Sequence, residues 1–133
     1  MTIIEGHSVE GILNSISDGK SLELFRSVAK GSVESEVLKE TKAISRKQFY
    51  TRTSQLLQAG LIKRSKGNFS LTSLGIIVYH AQLVIGAGVN NYWKLKAIDS
   101  IQTSREIVEQ ERLKLIKTIL DDNIVQDILI TQS

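Results

Sequence analysis

The chain has 133 residues and a formal net charge of +3, from 17 Lys+Arg against 14 Asp+Glu. That length suits one domain with a helical extension, and a core that needs neither disulfides nor a metal. With no cysteine and only His7 and His80, the composition excludes disulfide frameworks, thiolate zinc sites, iron–sulfur clusters and thiol catalysis, and argues against a multi-histidine metal site.

Apolar residues make up 41% and proline is absent, so neither a disordered tail nor a membrane bundle is expected, and long helices are favoured. The N-terminus lacks a basic region followed by an apolar run, so no signal peptide and a cytoplasmic chain are expected. Ser8 can cap a first helix whose Val9, Ile12, Leu13 and Ile16 share a face. Asp18-Gly19 breaks it. A second helix carries Leu22, Phe25, Val28 and Ala29 on one stripe and ends at Lys30-Gly31-Ser32. A short helix is predicted over roughly Val33 to Lys42, followed by a turn at Ala43-Ile44.

Ser45-Arg46-Lys47-Gln48 has the form of a capping box. The helix it opens runs to about Ala59 and stops at Gly60, with Phe49, Thr53 and Leu56 inward and Leu57 beside them. Leu61–Ser65 and Asn68–Leu71 read as two short strands, joined by a tight turn at Lys66-Gly67 or Gly67-Asn68. Thr72 caps a helix from Ser73 to about Leu83, with Leu74, Ile77, Val78 and Ala81 facing in. Gly86-Ala87-Gly88 is read as a break. The apolar run Leu74 to Val89 is short for a membrane span and reads as a buried helix.

From Asn91 the pattern is helical again, with Trp93, Leu95, Ile98 and Ile101 on one stripe. Thr103-Ser104-Arg105-Glu106 is a second capping-box candidate, opening a charged helix from Ser104 to Leu120. Asp121-Asp122 marks a break with a capping Asp. Ile124, Val125, Ile128 and Leu129 form a last short amphipathic helix. The fold class expected is mainly α with a small β-hairpin: a winged helix-turn-helix core over residues 1–90 and a helical extension, the dimerisation region, over 91–133.

The net charge conceals an asymmetry. Residues 41–98, 58 in a row, contain no carboxylate and nine Lys/Arg. Residues 39–66 carry eight bases (Lys39, Lys42, Arg46, Lys47, Arg52, Lys63, Arg64 and Lys66) against Glu40, a local net of +7, and the other 105 residues net −4. One basic segment on an otherwise acidic chain suits a polyanion approached from one side.

The most specific stretch is Leu56-Leu57-Gln58-Ala59-Gly60-Leu61-Ile62-Lys63-Arg64, then Gly67-Asn68-Phe69-Ser70-Leu71-Thr72-Ser73-Leu74-Gly75. Its Leu-rich helix end, Gly-Leu-Ile, basic hairpin and Leu-Thr-x-x-Gly resemble the DNA-binding core of MarR-like and related archaeal winged-helix transcription regulators, over residues 32–82. The resemblance implies a recognition helix, a wing and a double-stranded DNA partner.

The residues agree with that implication. Away from the Phe49/Thr53/Leu56 stripe the helix presents Lys47, Gln48, Thr51, Ser54, Gln55 and Gln58, flanked by Arg46, Tyr50 and Arg52, with Ser45 at its N-terminus. Lys47, Gln48, Thr51 and Gln55 are assigned to base edges, because Lys pairs with guanine O6/N7 and Gln with adenine N6/N7. Arg46, Tyr50 and Arg52 are assigned to phosphates, together with the wing residues Lys63, Arg64, Lys66 and Asn68. A helix N-terminus adds free N–H groups for a phosphate.

The bland alternative is an ordinary solvated basic face. A second is a winged-helix protein-interaction module of the transcription machinery, whose sign would be exposed apolar residues on this helix; the sequence offers only Tyr50. No P-loop, nucleophile elbow or dinucleotide fingerprint occurs, so no enzyme, no cofactor and no metal are expected. Tyr79, Tyr92 and Trp93 read as core or dimer packing, His80 as packing or surface, and a small-molecule effector is left open. The apolar stripe of the extension must be buried, on the chain itself or on a second copy. The charged Arg105–Lys117 helix fits the narrow seam of a homodimer. A nucleoid-associated location follows from this reading.

Overall fold

A computed structural model describes residues 7–31, 33–34, 44–104 and 108–131. Those residues form α1 (Val9–Ser15), α2 (Gly19–Ala29), β1 (Val33–Glu34), α3 (Arg46–Gln58), β2 (Ile62–Ser65) and β3 (Asn68–Leu71), followed by α4 (Ser73–Asn90), α5 (Tyr92–Ser104), α6 (Glu109–Ile119) and α7 (Asn123–Thr131). The architecture is mainly helical with an antiparallel hairpin. It divides into two compact units, 1–79 and 80–133, and the division falls inside α4, ahead of the 90/91 boundary expected from the sequence.

In the first unit each described helix begins with a side-chain cap. The Ser8 hydroxyl accepts from the Gly11 N–H at 3.0 Å. Asp18 caps α2, accepting from the Ser21 N–H at 2.9 Å and the Ser21 hydroxyl at 2.8 Å. That second bond lets a serine be fully buried, so the inward face of α2 is Ser21, Leu24, Phe25 and Val28. The predicted stripe had Leu22 and Ala29 in place of Ser21 and Leu24; both are half-buried.

The capping box at Ser45 is formed: the Gln48 N–H donates to Ser45 Oγ at 3.1 Å and the Ser45 N–H to Gln48 Oε1 at 3.4 Å. Phe49, Thr53 and Leu56 are buried as expected, and the Thr53 hydroxyl is satisfied by the Phe49 carbonyl at 2.8 Å. Leu57 stays exposed.

α3 ends in a Schellman motif. Gly60 takes φ +80°, a conformation that costs a residue with a Cβ about 1 kcal/mol. The Leu61 N–H donates to the Leu56 carbonyl and the Gly60 N–H to Leu57, both at 3.1 Å. Leu56 and Leu61, the apolar pair that usually accompanies this motif, are both fully buried.

Thr72 locks the next helix onto this turn. Its N–H donates to the Leu61 carbonyl at 3.1 Å, its hydroxyl donates to the Gly60 carbonyl, and the same hydroxyl accepts the Gly75 N–H at 2.9 Å. Gly75 lies so close to this turn that a Cβ there would sit 2.0 Å from the Leu61 carbonyl oxygen. The Leu-Thr-x-x-Gly pattern is therefore a structural latch between the end of α3 and the start of α4.

The sheet order is β1-β3-β2, all antiparallel. Ser65 and Asn68 are partners, so Lys66-Gly67 is the turn; both residues have positive φ, 53° and 81°, as a two-residue I′ hairpin requires. β1 corrects the sequence reading: Val33–Glu34 is not the start of a helix but a strand paired with Phe69 and Asn68. β3 has a second edge of backbone donors and acceptors, and Val33–Glu34 covers it. The rest of the predicted helix and Ala43 of the turn, with Lys39 and Lys42, lie outside the described residues, while Ile44 packs half-buried against the first core. Leu24, Phe25, Val28, Phe49, Leu56, Leu61, Ile62 and Phe69 form the core of this unit, each apolar side chain contributing about 1.5–3 kcal/mol on burial.

The second unit has a smaller core of Ile98, Ile116, Leu120 and Val125. Asp122 caps α7, as expected, accepting the Val125 N–H at 3.0 Å, and Gln126 donates its side-chain amide to the Leu120 carbonyl. Arg112 joins α6 to the end of α7 by donating to the Leu129 carbonyl at 2.9 Å.

Several expectations for the second half are corrected. α4 continues through Gly86-Ala87-Gly88 to Asn90. It is not a buried helix: Gly75 is its only buried residue, while Leu74, Ile77 and Ala81 are exposed and Val78 is half-buried. The reason is the contact side: α4 meets the first core through Gly75, Val78 and Tyr79, so Leu74, Ile77 and Ala81 turn away. Thr103 and Ser104 close α5; Arg105 and Glu106 lie outside the described residues. The next helix starts at Glu109 with no side-chain cap, and its first turn carries Glu109 and Glu111, which suit the helix dipole. Trp93 is 78% exposed, on the opposite side from the buried Ile98.

Candidate nucleic-acid interface

α3 presents an exposed face of Lys47, Gln48, Thr51, Ser54, Gln55 and Gln58, with Arg46 and Tyr50 exposed at its edge. No carboxylate belongs to the helix. The capping box uses the Gln48 side-chain oxygen, so Gln48 offers an approaching ligand its two N–H donors. The Arg46 guanidinium lies 5.9 Å from the centre of the Tyr50 ring, one helical turn away. This stacking preorganises a planar cation beside the helix N-terminus, where backbone N–H groups already favour an anion.

The hairpin supplies the second group of cations. Lys63, Arg64 and Lys66 are exposed, and Asn68 is half-buried. Arg64 lies over the Phe69 ring at 5.6 Å, its paired residue in the register. Buried Phe69 thus serves the core and steadies a surface guanidinium. Both the helix face and the hairpin belong to the 1–79 unit, linked by the Schellman turn and Leu61.

Arg52 differs from the other basic residues. Its Nε donates to Asp18 Oδ1 at 3.2 Å, and its side chain is 23% exposed. The Ser21 backbone N–H is the main cause that lowers the Asp18 carboxyl to about 2; the Ser21 hydroxyl and the Arg52 guanidinium add to it, and partial desolvation opposes it. A stretch free of acids in sequence therefore acquires one in space. Glu34 likewise stands opposite Asn68 in the strand register. Neither contact has a local signal, since Asp18 and Arg52 are 34 residues apart.

A groove of about 260 Å³ runs between α1 and α3, lined by Gly11, Ile12, Asn14, Ser15, Gln55, Gln58 and Ala59. It carries three carboxamides and no charge. Sequence reasoning placed Gln55 and Gln58 on the open face but did not find α1 beside them. Among the described residues no group of three or more His, Asp or Glu side chains is arranged to hold a metal ion.

In comparisons with known proteins, no family model matches the chain, and no curated protein or solved structure matches it either.

Proposed function

We propose that this chain is a sequence-specific, double-stranded DNA-binding transcription regulator built on a winged helix-turn-helix. In this reading α3 enters the major groove and the β2–β3 hairpin acts as the wing on the backbone or minor groove. The observation that carries it is the exposed α3 face: polar and basic, free of acids, opened by a capping box, and joined by a latched turn to a hairpin with three exposed cations. Lys47, Thr51 and Gln55 are the residues proposed for base edges, with Gln48 as a donor only. Arg46, Lys63, Arg64 and Lys66 are proposed for phosphates. A cytoplasmic, nucleoid-associated location belongs to the same proposal.

The proposed assembly is a homodimer formed through the 80–133 unit. Ala81, Ile85 and Val89 recur every fourth residue along α4, the spacing of a helix ridge, and the count continues to Trp93; all four are exposed, Ile85 by 61% and Val89 by 68%. No Asp, Glu, Lys or Arg occurs from residue 67 to 93, so two copies of this surface meet without like-charge repulsion. α4 also has the length and mean hydropathy, 1.3, of a membrane span. A protein partner fits better, because Thr72 and Gly75 bind the first turn of α4 to Leu61, and Val78 and Tyr79 pack on the first core.

A titration of duplex binding across salt concentration tests the function. About 6–10 phosphate contacts per dimer predict an affinity loss of roughly 10³–10⁵ between 50 and 200 mM salt. A flat salt response, or unchanged binding in the Lys47→Ala/Arg64→Ala double variant, removes DNA as the partner. The protein-interaction alternative draws only on Tyr50 and Leu57, the exposed apolar residues of α3.

A further inference from the structure

We infer that Arg52 is a positioning residue, which holds α3 against the start of α2 through Asp18, and that it is not a phosphate ligand. The inference deepens the proposed DNA-binding function and rests on it.

Three observations carry it. The first is where Arg52 lies on the helix. At 100° per residue it sits about 40° from buried Leu56 on one side and about 40° from exposed Gln48 on the other, at the boundary between the buried stripe and the open face. It belongs to the rim of the buried stripe, and its side chain is mostly covered, at 23% exposure.

The second is how its partner is fixed. Asp18 is not a mobile surface carboxylate. It is the N-cap of α2, gripped by the Ser21 backbone N–H and the Ser21 hydroxyl, and Ser21 is fully buried. The Arg52 Nε–H therefore meets an acceptor whose place is set by the core. The contact joins the first turn of α2 to the middle of α3, two elements whose buried faces meet in the same core.

The third is charge. Arg52 and Asp18 together are neutral, so the pair adds nothing to a phosphate footprint. Moving Arg52 to a phosphate would leave the Asp18 carboxylate, 49% exposed, without its cation beside a polyanion. The exposed cations of the helix and hairpin are Arg46, Lys47, Lys63, Arg64 and Lys66, and none of these pairs with a carboxylate among the described residues.

The test uses the full chain and four proteins: wild type, Arg52→Gln, Asp18→Asn and the double variant. Asn is as good an N-cap as Asp, so Asp18→Asn removes the charge and keeps α2 capped. Binding is measured on a duplex selected from a random pool and on an unrelated duplex, at several salt concentrations. Amide hydrogen exchange is followed over residues 46–58.

A positioning role predicts that each single variant weakens the selected duplex about two- to fivefold and the unrelated duplex less. The double variant is no weaker than the worse single one, because both substitutions remove one interaction. Its salt slope equals that of wild type, and protection over 46–58 falls in all three variants. A phosphate role predicts the opposite. Asp18→Asn frees Arg52 and tightens binding, while the double variant loses about 0.9 from the salt slope on both duplexes. That result overturns the inference.

If wild type binds no duplex, the DNA reading fails by itself and the exchange data decide the pair. Equal, non-additive losses of protection uphold the positioning contact. Unchanged or additive losses overturn it.

Discussion

The two units of this chain solve the burial problem differently. Among the described residues, 1–79 gather eight buried apolar residues from α2, α3, the turn after it and the sheet, and each described helix that starts there has a side-chain cap. Residues 80–133 bury four, while Ile85, Val89 and Trp93 remain largely in water. The first unit has the larger core and a polar face on α3; its own exposed apolar residues, Val9 and Leu13 on α1 and Ile76 and Ile77 on α4, belong to other helices. The second leaves apolar surface uncovered, and a chain under selection for solubility keeps such surface when something covers it. Under the proposed function, the first unit recognises DNA and the second assembles the dimer.

The same substitution made in each region separates them most sharply. Gly75→Ala is expected to cost about 3 kcal/mol, because its methyl group meets a backbone oxygen of a latched turn that has little freedom to retreat. Gly86→Ala, also within α4, meets nothing within 4 Å and is expected to add about 0.5–1 kcal/mol through helix propensity. Denaturant unfolding of both variants measures the opposite signs, and equal signs would erase the contrast.

Next in size is the proposed association surface. Ile85→Asp with Val89→Asp places like charges on a self-facing ridge and is expected to weaken association by about 2–4 kcal/mol, turning dimer into monomer at micromolar concentration by light scattering. A dimer that survives both substitutions uses another surface.

Smaller effects probe the first unit. Thr72→Val removes a hydroxyl that both donates to Gly60 and accepts from Gly75, with an expected loss of about 1–3 kcal/mol. Ser45→Ala removes the capping box and is expected to cost about 1 kcal/mol.

The acid response has a definite sign. The Asp18 carboxyl is lowered from 3.8 to about 2 in the folded chain, so its contribution is complete above about pH 4 and is lost as pH falls toward 2. Asp18→Asn should flatten the unfolding free energy over that window relative to wild type. The pair is half in solvent, so the effect is modest and weakens in high salt.

What could be read in the sequence was local. The Ser45/Gln48 box, the Ser8, Asp122 and Thr72 caps, the glycine after α3 and a tight hairpin turn at one of two registers, settled by the structure on Lys66-Gly67, each concern residues within four of one another. They are read directly from residue type and spacing. The Phe49/Thr53/Leu56 stripe was legible because a single period runs through it.

Features that depend on distant chain segments were not legible. β1 exists because β3 had a free edge, which nothing in Val33–Glu34 announces. The α2 face shifted because Asp18 makes a serine acceptable in the core. α4 was assigned the wrong face because its tightest contact is made by a residue with no side chain. At the candidate site the exposed positions of α3 were anticipated, whereas the Arg52 pairing and the Gln48 capping commitment required coordinates.

Lys66 is the one non-glycine residue with positive φ among those described, and it stands at the hairpin tip. Asparagine or glycine would hold that backbone more easily, by about 1 kcal/mol, yet the position carries a cation. Under the proposed function, stability and polyanion affinity pull this position toward different residues. An engineering campaign that ranked variants by melting temperature alone would discard the lysine, and would deliver a more robust hairpin with a blunted tip.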